Sequence, residues 1–224
     1  MNIKLPVIIA FIGLVAFASC KKVVDVAPDD SPTTNLNVIN ATADTLNYYV
    51  NGTRINNISS LYPLGYSGYT GVAGGQERVY QFKKPRSPIV LFEMPLALDT
   101  NKNYSLFLGG LSAEQSFTVL DTLAADTGGR PKIRFVNVSP EANLDVFVGD
   151  TVNFKARQFK TATVFLPVNA GTKRIRVYRN GTTTNPLIDE TRILISGRIY
   201  TLFSKGTVNG RGSSALGTGL VVNR

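Results

Sequence analysis

The chain has 224 residues, 43% of them apolar, a formal charge of +9, a single Cys, and neither His nor Trp. This length fits one or two globular domains, and the apolar share excludes a disordered chain. Lack of His excludes a Ser-His-Asp triad and His-based zinc sites, and a lone Cys excludes an intrachain disulfide.

The N-terminus opens with Lys4 and an apolar run from Leu5 to Phe17, broken only by Pro6 and Gly13. At about 13 residues the run is shorter than the ~20 needed to span a bilayer as a helix. It ends in Ala18-Ser19-Cys20, small residues before a Cys, which predicts a signal peptide over residues 1–19. The pattern resembles the lipobox of bacterial lipoproteins, with Phe17 departing from the usual aliphatic residue. That resemblance implies diacylation of the Cys20 sulfur, cleavage before Cys20 and acylation of the new amine. Several acyl chains, at ~0.8 kcal/mol per buried methylene, make a stable membrane anchor. Residues 20–33, rich in Asp, Pro, Ser and Thr towards the end, read as a flexible tether. Asp25, Asp29 and Asp30 resemble, with interruptions, the acidic surface-export signals of some Gram-negative lipoproteins. The expected address is the bacterial cell envelope, as an outer-membrane lipoprotein, with periplasmic and surface-facing orientations both open.

A first β-domain is expected over residues 34–126. Val38 and Ile39, then Leu46, Tyr48 and Val50, read as two strands of a hairpin, with Asn51-Gly52 as the next turn. Ser59 to Tyr80 interleaves Tyr62, Tyr66 and Tyr69 with five Gly residues and reads as a Gly-rich, Tyr-bearing loop region. Tyr69 aligns with Phe165 of the second half and is expected in the core. Tyr62 and Tyr66 have no aromatic counterpart there and are candidate ligand contacts, since Tyr can stack on a sugar or pack on a partner. Val79 to Phe82, Ile89 to Met94, Tyr104 to Leu108 and Phe117 to Leu120 complete the strands. Asp121 to Pro131 is small, polar and contains Gly128-Gly129, and reads as the linker.

A second β-domain is expected over residues 130–224. Ile133 and Phe135 share one strand face, with Arg134 on the other; Ser139-Pro140-Glu141 turns the chain; Leu144, Val146 and Val148 alternate with Asp145 and Gly149. Val164 to Pro167, Lys173 to Arg179, Leu187 to Ile195, Ile199 to Phe203 and Leu216 to Val222 follow as strands. This pattern repeats the first half at an offset of about 97 residues: Val38-Ile39-Asn40 matches Phe135-Val136-Asn137, Gly75 matches Gly171, and Tyr104 to Phe107 match Tyr200 to Phe203. Short strands with turns every 8–12 residues and no long amphipathic helix indicate an all-β protein of two tandem antiparallel β-sandwich domains.

Arg134, Phe135, Asn137, Ser139 and Pro140, then Asp145 to Val148, then Val168, Ala170 and Gly171 resemble the domain-of-unknown-function 4397 family, whose pattern is R-F-x-N-x-S-P, D-V-Y/F-V and a V-P-A-G-type turn. The first half is divergent: Asn37 replaces the Arg, and Thr42-Ala43 replaces Ser-Pro. The resemblance implies immunoglobulin-like sandwiches on exported, often lipid-anchored envelope proteins, with no known activity and structural roles for the shared residues.

Charge divides unevenly. Residues 34–129 carry six cations against seven acids, and residues 130–224 fifteen against five. Arg174, Arg176 and Arg179, with Lys173, cluster on one expected strand, preceded by Lys155, Arg157 and Lys160. They make either a face for an anionic glycan or a solvated edge that discourages aggregation. Asp44-Thr45-Leu46, Asp121-Thr122-Leu123 and Asp150-Thr151-Val152 resemble the Asp-Ser/Thr-aliphatic acceptor for O-glycosylation of envelope proteins in one large Gram-negative phylum, making Thr45, Thr122 and Thr151 candidate sites. Asp189-Glu190 is the only adjacent acidic pair within the two expected domains, and its members are expected on opposite strand faces. No calcium-loop or phosphate-cradling spacing is present. The leading expectation is a non-catalytic, lipid-anchored envelope protein acting as a binding or scaffold module. Its partner would be the membrane through the lipid, and an anionic glycan or another envelope protein through the fold. No cofactor, metal or nucleic acid is expected. The rival is a carboxylate-dependent, glycan-active accessory hydrolase, which would require two carboxylates ~5–10 Å apart in one pocket.

Overall fold

The computed structural model describes residues 33–224. The predicted signal peptide, Cys20 and the tether as far as residue 32 lie outside them. The described chain is all-β and forms two sandwiches.

The first half runs β1 (Thr33–Asn40), β2 (Asn47–Val50), β3 (Thr53–Arg54), β4 (Tyr66–Ala73), β5 (Glu77–Lys83), β6 (Val90–Ala97), β7 (Asn103–Leu108) and β8 (Ser116–Leu120). The second runs β9 (Lys132–Val136), β10 (Leu144–Val148), β11 (Val152–Arg157), β12 (Leu166–Pro167), β13 (Gly171–Arg179), β14 (Ile188–Leu194), β15 (Ile199–Lys205) and β16 (Gly217–Val222). Two sheets, β3-β2-β5-β6 and β4-β1-β7-β8, build the first sandwich; β12-β9-β15-β16 and β11-β10-β13-β14 build the second. Each half departs from a purely antiparallel plan at one place: β1 pairs with β7, and β9 with β15, in parallel. The repeat therefore extends to the one unusual strand pairing, in the immunoglobulin-like manner.

Two expectations about elements change. The Gly- and Tyr-rich stretch is not all loop, because β4 runs through it as an edge strand paired to β1. A β-bulge between Asn37 and Ile39 lets β4 follow β1, and the Val38 N–H bonds the Ser67 hydroxyl at 2.9 Å. β11 also forms where no strand was expected.

Each sandwich has its own core. Leu36, Val38, Leu106 and Leu108 meet Tyr48, Tyr80, Phe82 and Phe92 in the first. Ile133, Phe135 and Leu202 meet Val146, Phe154, Ile175 and Val177 in the second. A third cluster lies between the halves, where Ile39, Ala41 and Phe107 of the first meet Val136, Val138, Phe203 and Val221 of the second. The sheets carrying β1-β7 and β9-β15 thus bury both faces, and the described residues form a stack of four sheets.

The Asn of the strand–turn–strand pattern holds each hairpin. Asn137, fully buried, donates to the carbonyls of Ala142 (2.7 Å) and Arg157 (2.8 Å) and accepts from the Ser139 N–H (2.9 Å) and the Ser204 hydroxyl (2.7 Å). Asn40 does the same in the first half with Asp44, Leu61 and Thr42. Asp145 ties three strands: it accepts from the N–H groups of Ala156 (2.7 Å) and Gly181 (3.0 Å) and from the Asn180 amide (3.1 Å). Burial pushes its carboxyl up, but these bonds and the charge of Lys155 outweigh that and hold it below the usual range.

Buried tyrosines set an alkaline limit. Burial and the nearby Tyr48 push Tyr80 from its ordinary 10.0 up to about 12, against a smaller opposing effect of Arg78. Tyr69 is raised further, by burial and then by the charge of Asp121. The folded chain keeps these protons where the unfolded chain, titrating near ~10, releases them, so alkali favours unfolding. The urea midpoint is expected to be flat from pH ~7 to ~9 and to fall steadily from ~10 to ~12. A midpoint unchanged through that upper window would contradict the burial assigned to Tyr69 and Tyr80.

Candidate functional site

A buried cluster of charged and polar groups sits at the junction of the halves. Arg134 on β9 is 2% exposed, and its guanidinium donates to Asp121 (2.5 Å) and to the Thr201 hydroxyl (2.9 Å). The other Asp121 oxygen accepts from the hydroxyls of Tyr69 (2.5 Å) and Ser105 (2.6 Å). Asn223 then joins Tyr69 at 3.0 Å and Thr201 at 2.6 Å. The Arg134 guanidinium also stacks 4.5 Å from the Phe165 ring.

Strand register explains this grouping. Asn37 pairs with Tyr69 and Ser105, and Tyr104 with Leu120 just before Asp121. In the second half Arg134 pairs with Thr201, and Tyr200 with Val222 just before Asn223. Asn37, Tyr69, Ser105 and Asp121 are therefore the counterparts of Arg134, Phe165, Thr201 and Asn223. One repeat supplies the acid, the other the base, and the pair closes across the stack. Tyr69 accordingly lies at the junction rather than in a sandwich core, and Asp121, read by composition as linker, is 4% exposed. All these groups are occupied with one another, which makes the cluster a fastening and not an open site.

Asn37 is the exception. It is 1% exposed, and neither its amide nitrogen nor its oxygen has a hydrogen-bond partner. An orphaned buried polar group costs ~1–3 kcal/mol. Asn37→Val, which also suits a strand, is expected to raise stability by ~1 kcal/mol or more in urea unfolding. A loss of stability would show that Asn37 has a partner in solution.

The basic residues stand on the outermost sheet of the second half, but not as one set. Arg174 and Arg176 share the outer face of β13. Arg174 is held bidentately by Asp189, at 2.7 and 2.5 Å, and in turn keeps the Asp189 carboxyl below its usual range. Arg176 lies 3.8 Å from Asp150, with its guanidinium 5.9 Å from the Phe147 ring. Arg179 has the opposite parity, at the end of β13 opposite Leu144, and is exposed. Lys155 projects from β11, across β10 from β13, whereas Lys160 lies towards Glu114 of the first half. A polar cavity of about 520 Å³ brings Lys173 and Arg174 together with Asp150 and Thr151.

Tyr62 is 65% exposed on the turn before β4, and Tyr66, 39% exposed, is on β4 itself. Tyr66 borders a cavity of about 220 Å³ beside Tyr48 and Thr70. Of the candidate acceptor threonines, Thr122 and Thr151 are exposed and Thr45 is half-buried. The Asp preceding Thr122 is sealed in the junction, so the folded surface presents Thr122 without its acid. Asp189 and Glu190 point to opposite faces as expected: Asp189 holds Arg174, while Glu190 bonds the Thr218 hydroxyl and Arg192 (3.0 Å). Among the described residues, no cluster of three or more His, Cys, Asp or Glu side chains could hold a metal, and no helix is long and apolar enough to cross a membrane. Cys20 lies outside those residues.

A family model described as a domain of unknown function (DUF4397) matches the chain twice, over residues 34–143 and 131–222. The chain belongs to the DUF4397 family. None of the curated proteins matches it. Within this DUF4397 pair the residues of the shared pattern are structural: Asn137 and Asn40 pin the hairpins, and Asp145 ties β10 to the bend of β11 and the turn after β13. Arg134, which the first copy replaces with Asn37, is spent on the junction.

Proposed function

We propose that this DUF4397 protein is a lipid-anchored protein of the bacterial outer membrane, tethered through Cys20, whose stacked sandwiches act as a non-catalytic binding module for an anionic glycan or an acidic envelope partner. One observation carries the reading. The outermost sheet of the second half sets Lys155, Arg174, Arg176 and the nearby Lys173 and Arg179 at its surface, against Asp150 and Asp189 as its acids. Arg174 is already matched by Asp189, so the anion contacts fall to Arg176, beside the fully exposed Asp150, and Lys155 on the outer face, with Lys173 and the opposite-parity Arg179 at the two ends of β13. The adjacent carboxylates are held apart by separate partners, which supports binding over hydrolysis.

Two measurements on the full chain from native membranes test this. The N-terminal peptide is expected to carry fatty acid on Cys20 by mass spectrometry; an unmodified Cys20 would remove the anchor. Sulfated dextran is expected to bind at ~0.05 M salt, to weaken strongly at ~0.5 M, and to be lost in the Lys173→Glu/Arg176→Glu variant. Equal binding at both salts, or by the variant, would remove the basic face from the account.

A further inference from the structure

We infer that the first sandwich carries a second, uncharged site: a pocket at its open edge that takes one neutral sugar residue, with the Tyr48 hydroxyl at its floor and Tyr66 at its mouth. Tyr48 is fully buried and packs 6.5 Å from Phe82 in the core. Its hydroxyl has no hydrogen-bond partner. That hydroxyl lies beside the side chains of Ser67 and Thr70, and all three residues line the cavity of about 220 Å³. Ser67 is already used by Gly68 and by the Val38 N–H. The Tyr48 and Thr70 hydroxyls, with the exposed Asn57 and Ser59 side chains, are the polar groups the pocket offers besides Ser67 and Asn56. A buried hydroxyl without a hydrogen bond beside a cavity is an unmet demand for a polar partner.

The walls narrow the chemistry. No charged side chain lines the pocket. Ile58, 98% exposed, and the Tyr66 ring form apolar surface at the mouth. Neutral hydroxyls below and apolar surface above match a pyranose, which has both a hydroxylated edge and an apolar C–H face. The volume falls under the roughly 300–1,000 Å³ of drug-sized sites, which suits a single residue.

Comparison of the two copies shows that the fold does not require this hydroxyl. The counterpart of Tyr48 is Val146, against which Phe154 of β11 is paired. In the first half β3 stops after two residues, and an irregular segment carries the edge on: the Ile55 N–H bonds the Tyr48 carbonyl, the Asn56 side chain accepts from the Tyr48 N–H, and Leu61 pairs with Leu46. The pocket lies between this irregular edge and β4.

The test titrates methyl glycosides of glucose, galactose, mannose, fucose and N-acetylglucosamine into the isotope-labelled full chain and follows the amides of Ile58, Tyr66 and Thr70. At least one glycoside is expected to shift these signals, with the same affinity at ~0.05 and ~0.5 M salt. Tyr48→Phe is expected to weaken it by about three- to tenfold, the loss of one neutral hydrogen bond, and Tyr66→Ala to weaken it as well. Tyr48→Phe without sugar is expected to melt at or above the temperature of the parent. Shifts from none of the glycosides, binding unaffected by Tyr48→Phe, or a lowered melting temperature in that variant would each overturn the site. Sulfated-dextran binding is expected to be unchanged in Tyr48→Phe, so the two sites fail or survive separately.

Discussion

Arg134→Leu is expected to destabilise the protein by about 3–5 kcal/mol, because it strands the Asp121 carboxylate in a dry junction. Asp121 has 0% and Arg134 2% side-chain exposure, so water cannot replace the lost partner. Tyr69 and Ser105 would still donate to Asp121, but neutral hydroxyls do not cancel a charge. The double variant Arg134→Leu/Asp121→Leu is expected to recover most of the loss, since an apolar pair of similar volume can replace a buried ion pair at little cost. Urea unfolding of the parent, both single variants and the double gives the coupling directly. Additive losses would mean that the two groups do not form a pair in solution.

Phe203→Ala is expected to cost a similar ~3–5 kcal/mol, the range for a large aromatic removed from a closed core. Phe203 belongs to neither sandwich core. It is fully buried between the halves, 6.0 Å from Phe107, and its ring covers Gly219 on the neighbouring strand so closely that a Cβ there would overlap it. Truncation leaves a cavity bounded by both halves, which neither sandwich can collapse alone. The loss is therefore expected in probes of both halves, for example fluorescence of a Trp placed at Tyr49 and of another at Tyr178. If only the second half responds, the third cluster is not a shared core.

The hairpins were legible because an Asn, followed by a turn with Ser-Pro in the second copy and Thr-Ala in the first, interrupts a period-two pattern, and that pattern reports which face is buried. It reports only one face. Asn37, Ser105, Arg134 and Thr201 look like solvent-side residues on their strands, yet they are buried in the stack. Nothing local distinguishes a polar residue facing water from one facing a polar partner in another repeat. Asp121 was hidden for a related reason: it follows β8 within a run of small and polar residues, and only its register opposite Asn103 and its place beside Arg134 reveal its task. β4 was obscured by Gly65, Gly68 and Gly71, which weaken strand preference, and it exists because a bulged β1 gives it an edge to pair with. The basic cluster was legible as composition, but the salt bridge that occupies Arg174 depends on β14 lying alongside β13. The pocket at Tyr48 depends on how short β3 is, a boundary that propensity does not fix.

The two copies form one stack through the Arg134–Asp121 fastening and the Phe107–Phe203 cluster. Residual dipolar couplings measured on backbone amides of both halves in one alignment medium test whether that stack is rigid. A single alignment tensor is expected to fit residues 34–120 and 132–222 together. Two tensors of different magnitude, one for each sandwich, would contradict it.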